Sequence, residues 1–338
     1  VPSLSRNLLT LLQFTRFVLV FTAISNAQAS ILLSAGLRAT PDSPWYSQLD
    51  WRTMLAMAVA STGLYTFGMS LNDIIDRRRD AQIAADRPIP SGRIGLRFAH
   101  VVCAFLLAIA TAAAAWLTLN GEHPAMTASF YAATVLLIIF YDAAGKYLVP
   151  LGLISLGLIR LLHAILAEPT VPLPWHPLLI LNHVTILSAV AYAWEQKRPA
   201  LSKKHIVLIA SGLTLINGVV LGLLLFHRAK QMPEHWTTDL HISNALVWPV
   251  IAAIIFFMVG GMIHRQQPDP RRAGKTLMLV GLLWLIVYDA AFVVGHVNWL
   301  PALLLLSLAL VAWLGVRAMR FWARVAELSE KPGYIRAR

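Results

Sequence analysis

The sequence predicts an all-α polytopic membrane protein, and three observations carry that reading. Hydrophobic residues make up 58% of the chain and charged residues 13%, with a mean hydropathy of +0.65, well outside the profile of a soluble globular domain. Apolar runs long enough to cross a bilayer, roughly 20 residues each, recur along the whole length. The connections between them are mostly short, with no Gly/Ser-rich linker, low-complexity tract or repeat, so residues 1–338 read as a single membrane domain.

Ten runs are expected, centred on 14–37, 52–72, 97–119, 124–141, 148–167, 176–195, 205–227, 244–264, 276–296 and 299–319. The first carries Arg16 and Asn26, is longer than a signal-peptide core and leads into further spans, so it reads as a membrane helix. The second ends in a dense polar segment. The third holds Cys103, the single cysteine, which excludes a disulfide framework or thiolate metal site within one chain. The fifth and ninth each bury an ionisable group, Arg160 and Asp289. Such groups pair or line a polar cavity; pairing with each other and contact with a substrate are both open. Trp45, Trp51, Trp175, Trp236 and Trp299 stand near span ends, as in an interfacial aromatic belt.

A net charge of +12 would suit nucleic acid, but the placement of the basic residues argues against it. Under the ten-helix scheme one side collects Arg6, Arg16, the arginines at 77–79, 87, 93 and 97, Lys146, the cluster at 197–204, that at 265–275 and the C-terminal group; the other has Arg38, Arg52, Arg228 and Lys230. By the positive-inside rule the rich side is cytoplasmic, with both termini there. The remaining basic charge reads as topology and attraction to anionic membrane lipids.

The chemistry concentrates in Asn72-Asp73-Ile74-Ile75-Asp76-Arg77-Arg78-Arg79-Asp80. On a helix Asn72, Asp76 and Asp80 step only about 80° around the axis and Asp73 closes the stripe at about 100°. Acids are disfavoured at a helix C-terminus by the dipole, so their crowding there needs a reason. Oxygen donors suit Mg²⁺, which commonly binds through one or two carboxylates plus substrate phosphates. Asp86-Arg87-Pro88-Ile89-Pro90-Ser91-Gly92-Arg93 follows, a turn-rich loop expected to hold Arg87 and Arg93 near bound phosphates.

These two segments resemble the first aspartate-rich motif and its loop in the UbiA superfamily of intramembrane prenyltransferases. Tyr141-Asp142-Ala143-Ala144-Gly145-Lys146 loosely resembles that family's Tyr-x-x-x-Lys stretch. The phrasing of Thr22-Ala23, the first motif and the 141–146 segment is most similar to the EboC-like branch. The resemblance implies a bundle of nine or so helices, against ten by hydropathy, around a cytoplasm-facing cavity with a lateral opening for a prenyl chain. It also implies Mg²⁺ ions, held by two aspartate-rich motifs, that bind a prenyl diphosphate. The first motif carries over to Asn72, Asp73, Asp76 and Asp80. The second does not: residues 192–204, where the family places paired aspartates, offer only Glu195, beside Lys197 and Arg198.

The resulting expectation is a Mg²⁺-dependent transfer of a prenyl group from a prenyl diphosphate to a lipophilic acceptor, aromatic or other, at a bacterial inner membrane. Asn72, Asp76, Asp80 and Glu195 are the expected metal ligands. Asp73 orients its neighbours, and Arg87, Arg93, Lys146, Lys197 and Arg198 draw off phosphate charge. Tyr65, on the face of Asn72, is placed over an allylic cation, with Tyr141, Asp142 and Arg160 lining the substrate pocket. The alternative is a catalytically altered relative that binds or helps transport a polyprenyl or lipid-linked precursor.

Overall fold

The computed structural model describes residues 3–231 and 240–330, so Trp236 lies outside the described residues. Within them the regular structure is helical, as hydrocarbon demands: every backbone N–H and C=O must find its partner inside its own segment. The helices are α1 (Ser3–Phe14), α2 (Val20–Arg38), α3 (Trp51–Ile83), α4 (Leu96–Asn120), α5 (Pro124–Ala143), α6 (Val149–Ala164), α7 (Trp175–Trp194), α8 (Lys203–Gln231), α9 (Val247–Gln266), α10 (Pro270–His296) and α11 (Trp299–Glu330).

Local chemistry sets several of the boundaries. The Asp50 carboxylate caps α3 by accepting from the backbone N–H groups of Arg52 and Thr53. Asp269 caps α10 in the same way, with Pro270 in the first turn. Pro124 opens α5. Between α1 and α2 the chain turns sharply at Arg16, which takes a left-handed φ of 48°. The first expected run therefore breaks at its start: its first residue, Phe14, belongs to a separate short helix and is fully buried in one cluster with Leu64 and Phe67 of α3.

Nine helices among the described residues are long and apolar enough to cross a membrane, and α6 is shorter. At 1.5 Å per residue its span is about 24 Å, short of the roughly 30 Å hydrocarbon layer. Its flanks nevertheless reach opposite ends of the bundle. Just before it Lys146 pairs with Asp76 near the end of α3, and just after it Glu168 pairs with Arg38 at the end of α2. Helix α6 therefore runs from the end of the bundle that carries Asp76 to the end that carries Arg38.

Helix α2 is buried over most of its length, and α3 and α10 pack beside it, whereas α8 and α9 turn most of their surface outward. α3 runs 33 residues, about 50 Å, so it outlasts the hydrocarbon layer by several turns. Those turns carry the acidic stripe. The protein is an integral multi-pass membrane protein, built as a helical bundle.

Candidate functional site

The protruding end of α3 is not the solvated helix end that four oxygen-bearing side chains suggest. Asp73, Asp76 and Asp80 are all buried. What makes burial tolerable is that each meets a cation delivered from another segment, since an unpaired buried carboxylate costs several kcal/mol. Asp76 Oδ1 lies 2.6 Å from Lys146 Nζ. Asp80 accepts from Arg87 at 2.5 Å, and Asp73 sits 3.2 Å from Arg16 and 3.6 Å from Arg87. Asn72 donates its amide to Asp142 Oδ1 at 2.8 Å.

Two of these contacts form rungs between α3 and the end of α5. Asn72 reaches Asp142 and Asp76 reaches Lys146, so an i,i+4 step on one segment matches an i,i+4 step on the other. The sequence alone offers an ordinary ion pair between Asp142 and Lys146. Lys146 instead turns across to α3, because α5 ends at Ala143 and a 3-10 turn over Gly145–Tyr147 re-aims the ammonium.

The loop after α3 does what its prolines and Gly92, at φ 73°, predict: it folds tightly. Arg87 thereby returns to the stripe. Arg93 does not. Its guanidinium is exposed, donates to Gln13 at 2.8 Å, to Ser91 at 3.0 Å and to the Asp86 carbonyl, and so fastens the loop to α1. The expected role of Arg93 in gripping phosphate is not supported by this placement.

Beside the stripe opens a cavity of about 330 Å³. Its polar rim is made by Arg16, Asn72, Tyr141, Asp142, Glu195 and Lys197, and its walls by aliphatic side chains of α3, α5, α6 and α10. Glu195 follows α7 and pairs with Lys197 at 3.2 Å. It fits there because α10 approaches through Gly274, where a Cβ would stand 2.8 Å from Glu195 Cγ and 3.1 Å from the Ala191 carbonyl. Arg198 is exposed and is absent from the lining.

Arg160 and Tyr65 stand at the inner part of the cavity. The Arg160 guanidinium lies 5.5 Å from the Tyr65 ring centroid, within cation–π range. One face of the Tyr65 ring is therefore engaged by a buried cation. Arg160 donates to Thr22 Oγ1 at 3.0 Å and reaches Asn26 Oδ1 at 3.5 Å. The Asn26 amide in turn donates to both oxygens of Asp289, at 3.0 and 2.8 Å, and Ser25 and His176 complete that carboxylate's shell at 2.6 and 2.8 Å. Arg160 and Asp289 do not pair directly; Asn26 joins them.

Sequence reasoning missed Arg16 as a site residue and treated it as a topological charge. The left-handed turn that aims it has no proline or glycine to announce it. Among the described residues no group of three His, Cys, Asp or Glu lies together as a metal cluster. Oxygen donors already balanced by ammonium and guanidinium groups fit a Mg²⁺ ion that arrives with a phosphate ligand, rather than a preformed cage.

The model of the UbiA prenyltransferase family matches residues 29–201, a little over half of the chain. That stretch contains the stripe, its loop, the 141–146 segment and Glu195. No curated protein gives a significant match. Among solved structures, one of digeranylgeranylglyceryl phosphate synthase is 17% identical with a TM-score of 0.56, covering 87% of this chain and 99% of that one. The apo structure of a UbiA homologue from Aeropyrum pernix K1 is 17% identical with a TM-score of 0.53, covering 82% of this chain and 97% of that one. At such identities the likeness is one of fold, and it does not resolve a branch within the family.

Proposed function

The chain belongs to the UbiA prenyltransferase family, and on that premise we propose that it transfers a prenyl group from a prenyl diphosphate to a lipophilic acceptor at the rim of this cavity, facing the cytoplasm. The observation that carries the reading is the exchangeable pairing of the stripe. Every acid of the motif is held by a base, and a diphosphate is the ligand that would take those bases while leaving the acids free.

In this reading Lys146, Arg87, Arg16 and Lys197 transfer their donors to the phosphate oxygens as substrate enters. Asn72, Asp76, Asp80 and Glu195 are the residues that would then hold Mg²⁺. The ion supplies neutralisation of the leaving diphosphate. Asp73 keeps Arg16 and Arg87 within reach of the site. The aliphatic walls accept the prenyl chain and exclude water, which would otherwise capture the reactive carbon.

A second reading rests on one observation. Glu195 is the lone acid where the family resemblance implies a pair, and it is bound to Lys197. A protein that binds prenyl diphosphate without turning it over would have such a half-site.

The test uses purified full-length protein in lipid nanodiscs with labelled geranyl, farnesyl and geranylgeranyl diphosphates, a total lipid extract as acceptor source, and Mg²⁺ or EDTA. Mg²⁺-dependent release of diphosphate is expected. Binding without release under every acceptor condition sinks the transferase and supports the second reading.

A further inference from the structure

At the end of the bundle away from the acidic stripe opens a separate cavity of about 240 Å³, walled by the ends of α2 and α4, the starts of α3 and α5, and the segment after α6. Among the described residues that line it, three carboxylates, Asp50, Glu122 and Glu168, stand against one guanidinium, Arg38, with His123 beside them. Asp50 is committed to capping α3, and Glu168 holds Arg38 and Ser34. Glu122 is exposed, and its carboxylate makes no ion pair or hydrogen bond among the described residues. Negative charge is therefore in surplus. The acids do not converge as a metal cage, and the space exceeds that of an ion, since one water occupies only about 30 Å³.

A second observation points to a ligand. Thr127, in the first turn of α5, lines the same cavity and is only 3% exposed. Two other hydroxyls of that helix, Ser129 and Thr134, donate to the carbonyl four residues back at 2.7 Å. The corresponding carbonyl for Thr127 is that of His123, which already accepts from the backbone N–H groups of Met126 and Thr127. The Thr127 hydroxyl has no partner among the described residues, yet its oxygen is not one of the sealed, unpaired polar atoms of the interior. What surface it keeps belongs to the cavity, where its oxygen can accept from a ligand N–H.

We infer that this cavity is a second binding site, one for a primary ammonium group, with Glu122 and Glu168 meeting its charge and Thr127 accepting one of its N–H donors. The ammonium is that of a phosphatidylethanolamine headgroup or of a soluble amine; both present the same three donors. Trp51, at the start of α3, stands where an interfacial tryptophan would, so the cavity is at the level of lipid headgroups. The site is independent of prenyl transfer, because it shares no lining residue with the cavity beside the stripe.

The test sets a primary ammonium against a trimethylammonium of equal charge that has no N–H to donate. In one arm, full-length protein is released from nanodiscs of equal phosphatidylethanolamine and phosphatidylcholine, and the lipids it retains are counted by native mass spectrometry. In the other, protein in phosphatidylcholine nanodiscs is titrated with ethanolamine and with choline, followed by saturation-transfer NMR. A preference for the primary amine of about tenfold is expected, the worth of a hydrogen bond to a charged group, and the arm that shows it names the source. Thr127→Val keeps the shape of the side chain and is expected to abolish the preference, while Thr127→Ser retains it. Glu122→Gln, at an exposed position, is expected to weaken binding of the amine by about threefold. The assignment is overturned by equal binding within both pairs in wild type, by a preference that survives Thr127→Val, or by amine binding that Glu122→Gln leaves unchanged. If Thr127→Val does not fold, Glu122→Gln decides alone.

Discussion

Lys146 Nζ and Asp76 Oδ1 stand 2.6 Å apart with both side chains about nine-tenths buried, a charge pair formed across 70 residues of sequence. Removing one partner strands the other. Lys146→Met is expected to lower stability by about 3–5 kcal/mol, and Lys146→Met with Asp76→Leu to recover most of it. Both forms are expected to lose diphosphate release, so thermal unfolding in detergent beside the turnover assay separates folding from chemistry. A double variant as unstable as the single one would show that the pair is not the source of the loss.

The two arginines of the loop should separate in function. Arg87→Ala frees Asp80 and Asp73 from a shared cation and removes a phosphate donor, so geranyl diphosphate affinity is expected to fall by roughly tenfold or more, the worth of a charge-assisted contact. Arg93→Ala only unfastens the loop from Gln13, and affinity is expected to change by less than about threefold. Equilibrium dialysis in the presence of Mg²⁺ measures both; equal losses would place Arg93 at the phosphates after all.

Gly274 sets how closely α10 approaches the end of α7. Gly274→Ala puts a methyl group against Glu195 Cγ and the Ala191 carbonyl, at an overpacking cost of about 1–3 kcal/mol. Because the neighbour that yields most easily is the Glu195 side chain, turnover is expected to fall further than the melting temperature does. Unchanged turnover at lowered stability would remove Glu195 from the chemistry.

Asn26 serves two buried charges at once, accepting from Arg160 and donating to Asp289. Asn26→Leu leaves both short of a partner, at a cost of about 2–5 kcal/mol by the price of orphaned buried groups. Asn182→Leu breaks a reciprocal amide pair with Asn217 on half-buried positions. It is expected to cost only about 1 kcal/mol, the usual scale for such bonds between membrane helices. Chemical unfolding of the two variants in the same detergent checks the ranking.

Much of the fold is legible in composition because hydrocarbon leaves a chain few options: each apolar run of sufficient length becomes a helix, and all ten runs have a counterpart in α2–α11. The short α1 escaped because its amphipathic residues abut the first run and nothing in their order marks the break at Arg16. The acidic stripe and the turn at 87–93 were equally legible, being local. What sequence does not encode locally is who neutralises whom. Lys146 selects Asp76 over its own i–4 neighbour, Arg93 turns away from the stripe that Arg87 meets, and Arg160 and Asp289 share Asn26 rather than each other. These are long-range choices, decided by helix packing.

The Asn26 bridge has an electrical consequence. By holding Asp289 one amide away from Arg160, it separates two opposite charges along the bundle interior with the positive pole toward the cavity. The Arg160 guanidinium therefore presents its charge to the cavity while the carboxylate that balances it stays behind the wall. In the proposed transfer, a carbocation formed near Asn72 and Tyr141 would be repelled from the Arg160 end of the pocket.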